Sequence, residues 1–210
     1  QVASLTSVQI NAMASDDLKA LTTAQVRALT SDQLSKLSSD QVALMATDDI
    51  AAISTAQISH LSTAAIAALT TAQAKALTTA SINALTSAQV AAIETADLAV
   101  LSTAQLNKLG TAQLAQLTSV QVTALTSAQL KSLSSDQVAA LTSAQLNALT
   151  SAQLPSLSSA QVRALSTDQV SKLTTTQIVG LSTAQVAALS TGQVASLTSV
   201  QINAMASDDL

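Results

Sequence analysis

The sequence predicts an all-α solenoid, a superhelical coil of very short capped helices with one helix in each 8-residue repeat. Three observations carry this. The octapeptide Leu85-Thr86-Ser87-Ala88-Gln89-Val90-Ala91-Ala92 recurs without slippage from Leu5 to Met205, giving 24 complete octads between Leu5 and Ser196. The large apolar residues fall at octad positions 1 and 6, counted from the Leu, so the intervals between them alternate between five and three. A Ser or Thr at position 2 stands three residues ahead of a Gln at position 5, the spacing of a helix capping box.

Positions 1 and 6 decide the backbone. Position 1 is always Leu, Met or Ile, and position 6 is Val, Leu or Ile everywhere except Ala74. A strand places its core residues at even intervals on one face, and positions 1 and 6 have opposite parity. A β-solenoid with bends inside each octad is the alternative that escapes this objection, but Ala and Gln are poor strand formers and there are only three glycines for its corners. One continuous helix fails too. At about 100° per residue, eight residues overshoot two turns by about 80°, so the apolar stripe would wind around the axis. A short helix with a change of direction in every octad keeps both apolar positions on one side.

Position 2 is the expected N-cap. With Thr86 as N-cap, Gln89 is N3 and completes the box, while Leu85 and Val90 take the N′ and N4 places of a hydrophobic staple. Thr126 with Gln129, Ser182 with Gln185 and Thr198 with Gln201 repeat the pattern. Position 2 is Ser or Thr in 20 of 24 octads and position 5 is Gln in 19. Asp17, Asp49 and Asp97 replace the Gln by a charge that the first turn of a helix favours. Position 3 remains as a rival cap or as a contact between coils, because it is Ser or Thr in all 24 octads.

Position 7 is expected to face outward, since it admits Asn11, Lys19, Arg27, Lys75, Lys131 and Arg163. Position 8, mostly Ala, suits close approach between coils. Pro155 at position 7 is tolerable only where the helix is barely longer than one turn. Gly110, Gly180 and Gly192 fall at three different octad positions and define no recurring hinge. Helices this short are not stable alone, so successive coils must stack and each must gain its energy from its neighbours.

Residues 1–18, QVASLTSVQINAMASDDL, return letter for letter as residues 193–210, an offset of 24 octads. The expectation is a single repeat array over 1–210, part of a longer tandem array with a 192-residue super-repeat, whose partner is itself: continuation of the same coil, covalently or head to tail, with lateral bundling possible at so low a charge.

Composition narrows the partners. A net charge of −4 spread along the chain gives no basic footprint for a phosphate backbone, and the absence of Phe, Tyr and Trp removes stacking platforms. No nucleic acid is expected. The longest apolar run, Ala64 to Leu69, has six residues, against roughly 20 for a membrane span. With no cysteine there is no disulfide and no thiolate metal site.

No catalytic, cofactor-binding or metal-binding residue is expected, and the protein is not expected to be an enzyme. The acid pairs Asp16-Asp17, Asp48-Asp49 and Asp208-Asp209 lack the Gly-rich calcium loops of repeat proteins and suit first-turn helix charges. His60 is the only histidine, and one imidazole builds neither a metal site nor a triad. No Gly-rich phosphate loop, HExxH or GxSxG occurs.

The octads, L-T/S-T/S-x-Q-V/I/L-x-A over the full chain, resemble repeat regions of very large bacterial surface proteins often labelled adhesin or haem-utilisation proteins. The resemblance implies an extracellular or cell-surface location and a structural or adhesive role. Haem finds no support in the residues, since Met13, Met45 and His60 make no axial-ligand set and there is no CxxCH. The expected function is therefore an extracellular stalk, fibre or tube wall, with an ice- or glycan-binding solenoid using the Ser/Thr rows as the alternative.

Overall fold

The computed structural model describes residues 2–208, and among them the regular structure is helical, with no strand. The all-α solenoid is thus the fold, and the β-solenoid alternative falls. The chain divides into two compact units, Gln1–Leu109 and Gly110–Leu210, each built by one local rule.

The octad starting at Leu85 shows that rule. Leu85 and Thr86 are extended, with φ/ψ of −62°/142° and −73°/159°. The helix Ser87–Ala92 follows. Val90 N–H donates to Thr86 O at 2.9 Å, and Ile93 N–H donates to Val90 O at 3.2 Å, tightening the last turn before the next extended pair. Two extended residues therefore turn the chain at this octad boundary, and the same turn recurs along the array as far as Leu197 and Thr198. No described residue has a positive φ, so the turn needs no left-handed glycine cap of the usual kind. That accounts for the scatter of the three glycines over the octad.

Stacking follows an equally regular rule inside each unit. In the first, Ser7–Asn11 packs on Ser31–Ser35, Thr47–Ala52 on Thr71–Ala76, and Thr71–Ala76 on Thr95–Val100. In the second, Ser119–Ala124 packs on Ser143–Ala148 and Thr175–Val179 on Ser199–Asp208. Each partner lies three octads on. Positions 1 and 6 form the core between coils: Leu85 is 4% exposed and Val90 0%, and Leu130, Leu133, Ile58 and Leu61 repeat the pair. Complete burial of such a side chain contributes about 1.5–3 kcal/mol. Position 7 is exposed or half-buried in every octad, as its composition predicts.

Two departures are informative. Around Pro155 the octad has no α-helix, only the 3-10 turn Leu154–Ser156, because proline has no N–H to continue the ladder. Three octads on, Gly180 lies beside it: a Cβ there would stand 3.7 Å from Pro155 Cγ and 3.2 Å from Thr176 O. The second departure concerns the duplicated segment. In the first copy Ser7–Asn11 and Ser15–Lys19 are separate helices with a bend at Met13, whereas in the second Ser199–Asp208 is one helix of 10 residues. The same letters take two conformations.

Candidate functional site: the glutamine seam between coils

Position 2 is the N-cap. Gln89 N–H donates to Thr86 Oγ1 at 3.2 Å, and Thr86 N–H donates to Gln89 Oε1 at 2.8 Å. The reciprocal pair recurs as Thr6 with Gln9, Thr126 with Gln129 and Ser190 with Gln193. The invariant hydroxyl of position 3 does something else in the second unit. Ser119 and Ser159 donate to Ala144 O and Ala184 O at 3.5 and 3.2 Å, and Ser143 to Asp168 Oδ2 at 3.4 Å, each one coil away. Position 2 is therefore the cap, position 3 is not, and at Ser119, Ser143 and Ser159 the position 3 hydroxyl makes the contact between coils.

The octad glutamine has a second role that capping rules do not foresee. Its Oε1 is spent on its own helix, and its Nε2 reaches the preceding coil. Gln89 Nε2 donates to Ile58 O at 2.9 Å and Leu61 O at 2.8 Å. Gln33, Gln41, Gln73 and Gln105 do the same in the first unit. In the second unit Gln145, Gln161, Gln177, Gln193 and Gln201 continue it, always onto carbonyls 28 and 31 residues back. The carbonyl 31 residues back ends a helix and already accepts one backbone N–H, as Ile58 O does from Leu61 N–H at 3.2 Å, so the amide fills its second lone pair; the carbonyl 28 residues back lies at the turn after that helix. One amide thus caps the start of one helix and the end of another, and does so in the dry interior: Gln89 is 2% exposed.

A signal for this was present in the letters. Glu completes a capping box as well as Gln does, yet the chain's single Glu is Glu94, at position 2. A carboxylate supplies the acceptor for the cap but no donor for the next coil.

Where Gln is absent the seam changes. Ala65 and Ser81 are buried and cannot reach across. Asp49 and Asp97 stand in the first turns of their helices and are buried, whereas the first-turn acids Asp16, Asp17 and Asp48 are exposed. Burial raises the Asp49 carboxyl above the ordinary range, Asp48 adds to the rise, and a hydrogen bond from Ala46 N–H opposes it. Burial and then Glu94 raise Asp97.

The remaining singled-out residues do not converge. His60 is exposed at position 8, Met13 is half-buried, and Met45 is in the core. Asp209 lies outside the described residues. Among the described residues no group of three His, Cys, Asp or Glu side chains is placed to hold a metal, and no helix is long and apolar enough to cross a membrane. Lys172 and Asp168 form an exposed pair at 2.9 Å, worth little in water. An apolar pocket in the second unit is lined by Ile178, Leu181, Thr183, Val186, Ala187 and Met205; it belongs to the uncovered end of the coil.

Among curated proteins none matches the chain. The family model of the ALTTAQ repeat matches residues 10–47, 42–79, 90–127, 123–151, 143–175 and 171–199, well over half of the chain. The overlapping matches cover a tandem array whose shared letters are the cap, the glutamine and the two core positions just described, and the chain accordingly belongs to the ALTTAQ repeat family.

Proposed function

We propose that the protein is a structural repeat element, one stretch of a self-continuing coil that forms an extracellular stalk, fibre or tube wall of the adhesin-like kind. The observation that carries this is the direction of burial. In the first coil, which has only a following coil to cover it, position 6 is closed: Ile10 and Val26 are 0% exposed. In the last coil, position 6 is open: Val194 and Ile202 are each 50% exposed. Position 6 is thus sealed by whatever follows, and the occupant that fits is another octad coil, presenting a position 1 row such as the half-buried Leu5, Met13 and Leu21.

The supporting chemistry is the seam. Glutamines from Gln33 to Gln201 tie one coil to the one before it, so a pull along the array is shared among many similar bonds. A head-to-tail contact of this kind does not close on itself and generates an open filament. The weak negative charge favours neither nucleic acid nor an anionic membrane as partner. A free Thr lattice for ice or glycan is less well supported, because the position 2 hydroxyls are engaged in caps.

Light scattering and electron microscopy of the purified chain test the reading. Concentration-dependent, end-to-end filaments of uniform width are expected. Particles that stay monomeric at all concentrations, with thermal hysteresis or glycan retention, would overturn it.

A further inference from the structure

We propose that Asp97 closes its rung of the seam as a neutral carboxylic acid, its Oδ2–H standing in for the glutamine Nε2–H, and that the rung opens when the acid ionises.

The argument starts from register. Asp97 occupies position 5, the third residue of the helix Thr95–Val100. The glutamines on either side, Gln89 and Gln105, donate to carbonyls 31 and 28 residues back: Ile58 and Leu61, Ala74 and Leu77. The same register sets position 97 over the carbonyls of Ile66 and Leu69. The side chain is 2% exposed, and its Oδ2 is buried with no hydrogen-bond partner. The glutamine rungs on either side, Gln89 and Gln105, each offer a donor at this place. An ionised carboxyl offers only acceptors to a site made of acceptors, which is costly away from water. A protonated carboxyl has one donor and one acceptor, the same pair that a primary amide uses here.

Among the described residues no Lys, Arg or His is buried, so no buried cation offsets the charge. The helix packed on Thr95–Val100 is Thr71–Ala76, and its one charged residue, Lys75, is exposed at position 7. The helix Thr63–Ala67, which leads to the carbonyls in question, carries no titratable group. On the element of Asp97 itself the neighbour is Glu94, at the N-cap. Burial first and Glu94 second hold the carboxyl above its ordinary range, in agreement with the geometry.

The sign follows by linkage. A group whose folded pKa lies above its unfolded value contributes stability that is fully present below the unfolded pKa, about 3.9 for Asp, and lost as pH rises through the folded pKa. Acidification toward that range therefore tightens this rung, and neutral pH loosens it.

The test uses the full 210-residue chain carrying Asp49→Asn, so that the other buried acid does not titrate. Carboxyl 13C NMR follows Asp97 from about pH 8 to about pH 3, with a midpoint expected clearly above the ordinary value of about 3.9. In parallel, Asp97→Asn and Asp97→Gln are added. Each is expected to raise the melting temperature by ~2–4 °C near pH 8, an advantage that shrinks near pH 4. A midpoint at or below the ordinary value, or a melting difference for Asp97→Asn that does not change with pH, would overturn the proposal. If Asp97→Gln overpacks and fails to fold, the NMR midpoint and Asp97→Asn still decide. The outcome concerns a rung inside one chain, so it stands apart from whether chains join end to end.

Discussion

At the scale of the residue, the octad glutamine is a bifunctional cap, and the two functions separate by substitution. Gln89→Glu keeps the acceptor for Thr86 N–H and removes the donor to Ile58 O and Leu61 O. It also brings a charge to a site that is 2% exposed. The expected cost is about 1–3 kcal/mol at neutral pH, partly recovered in acid as the new carboxyl is protonated. Thr86→Ala removes only the hydroxyl acceptor and is expected to cost about 1 kcal/mol with no pH dependence. Thermal unfolding at two pH values tells the two apart, and equal behaviour would refute the division of labour. In the opposite direction, Ser81→Gln supplies an amide where the seam has a short hydroxyl bonded to Thr78. It is expected to stabilise the chain by about 0.5–1.5 kcal/mol, with a lower melting temperature as the contrary result.

At the scale of the element, the short helix ends where two extended residues begin, and what holds that turn is in part another coil. Gln41 Nε2 bonds the carbonyls of Ile10, Asn11 and Met13 at the turn between the first two helices. The same residues in the second copy have no later glutamine within the chain, and there Ser199–Asp208 runs on as one helix. If the clip sets the turn, appending a copy of residues 19–48 after Leu210 restores the following coil and breaks this helix at Met205. Backbone chemical shifts would show two short helices in the extended chain. A helix that stays continuous across Met205 would show that the turn has another cause. This contrast also marks what sequence alone discloses. Caps and the staple lie within five residues of one another, so Thr86, Gln89, Leu85 and Val90 announce the helix, its start and its buried side. The step of three octads does not show in the letters, because every octad resembles its neighbours and any stacking interval satisfies the same pattern. The second half of the glutamine's role is a contact 28–31 residues away, and its trace is negative: Glu never takes position 5.

At the scale of the whole molecule, the seam is uneven although the core is not. From Gln145 to Gln201 each octad of the second unit carries the glutamine, and each reaches back to the coil before it. From Gln41 to Gln105 in the first unit, every second octad has lost it, at Asp49, Ala65, Ser81 and Asp97. Positions 1 and 6 stay buried through both stretches, from Met45 and Ile50 to Leu101 and from Leu146 to Leu173. The two therefore differ in hydrogen bonds between coils far more than in apolar burial. In a solenoid, stability is approximately a sum of terms within repeats and between nearest neighbours, so each missing rung lowers one neighbour term by an amount that does not spread far. Octads 6 to 12 should then open more readily than octads 18 to 21, with local opening free energies lower by about 0.5–1.5 kcal/mol for each rung lost. Native-state hydrogen exchange of the backbone amides measures this octad by octad, away from fraying ends. Ala65→Gln together with Ser81→Gln should slow exchange in the first unit and leave the second unchanged. Uniform protection across the two stretches, or faster exchange in the second, would show that packing of positions 1 and 6 alone governs the coil and that the glutamine seam is secondary.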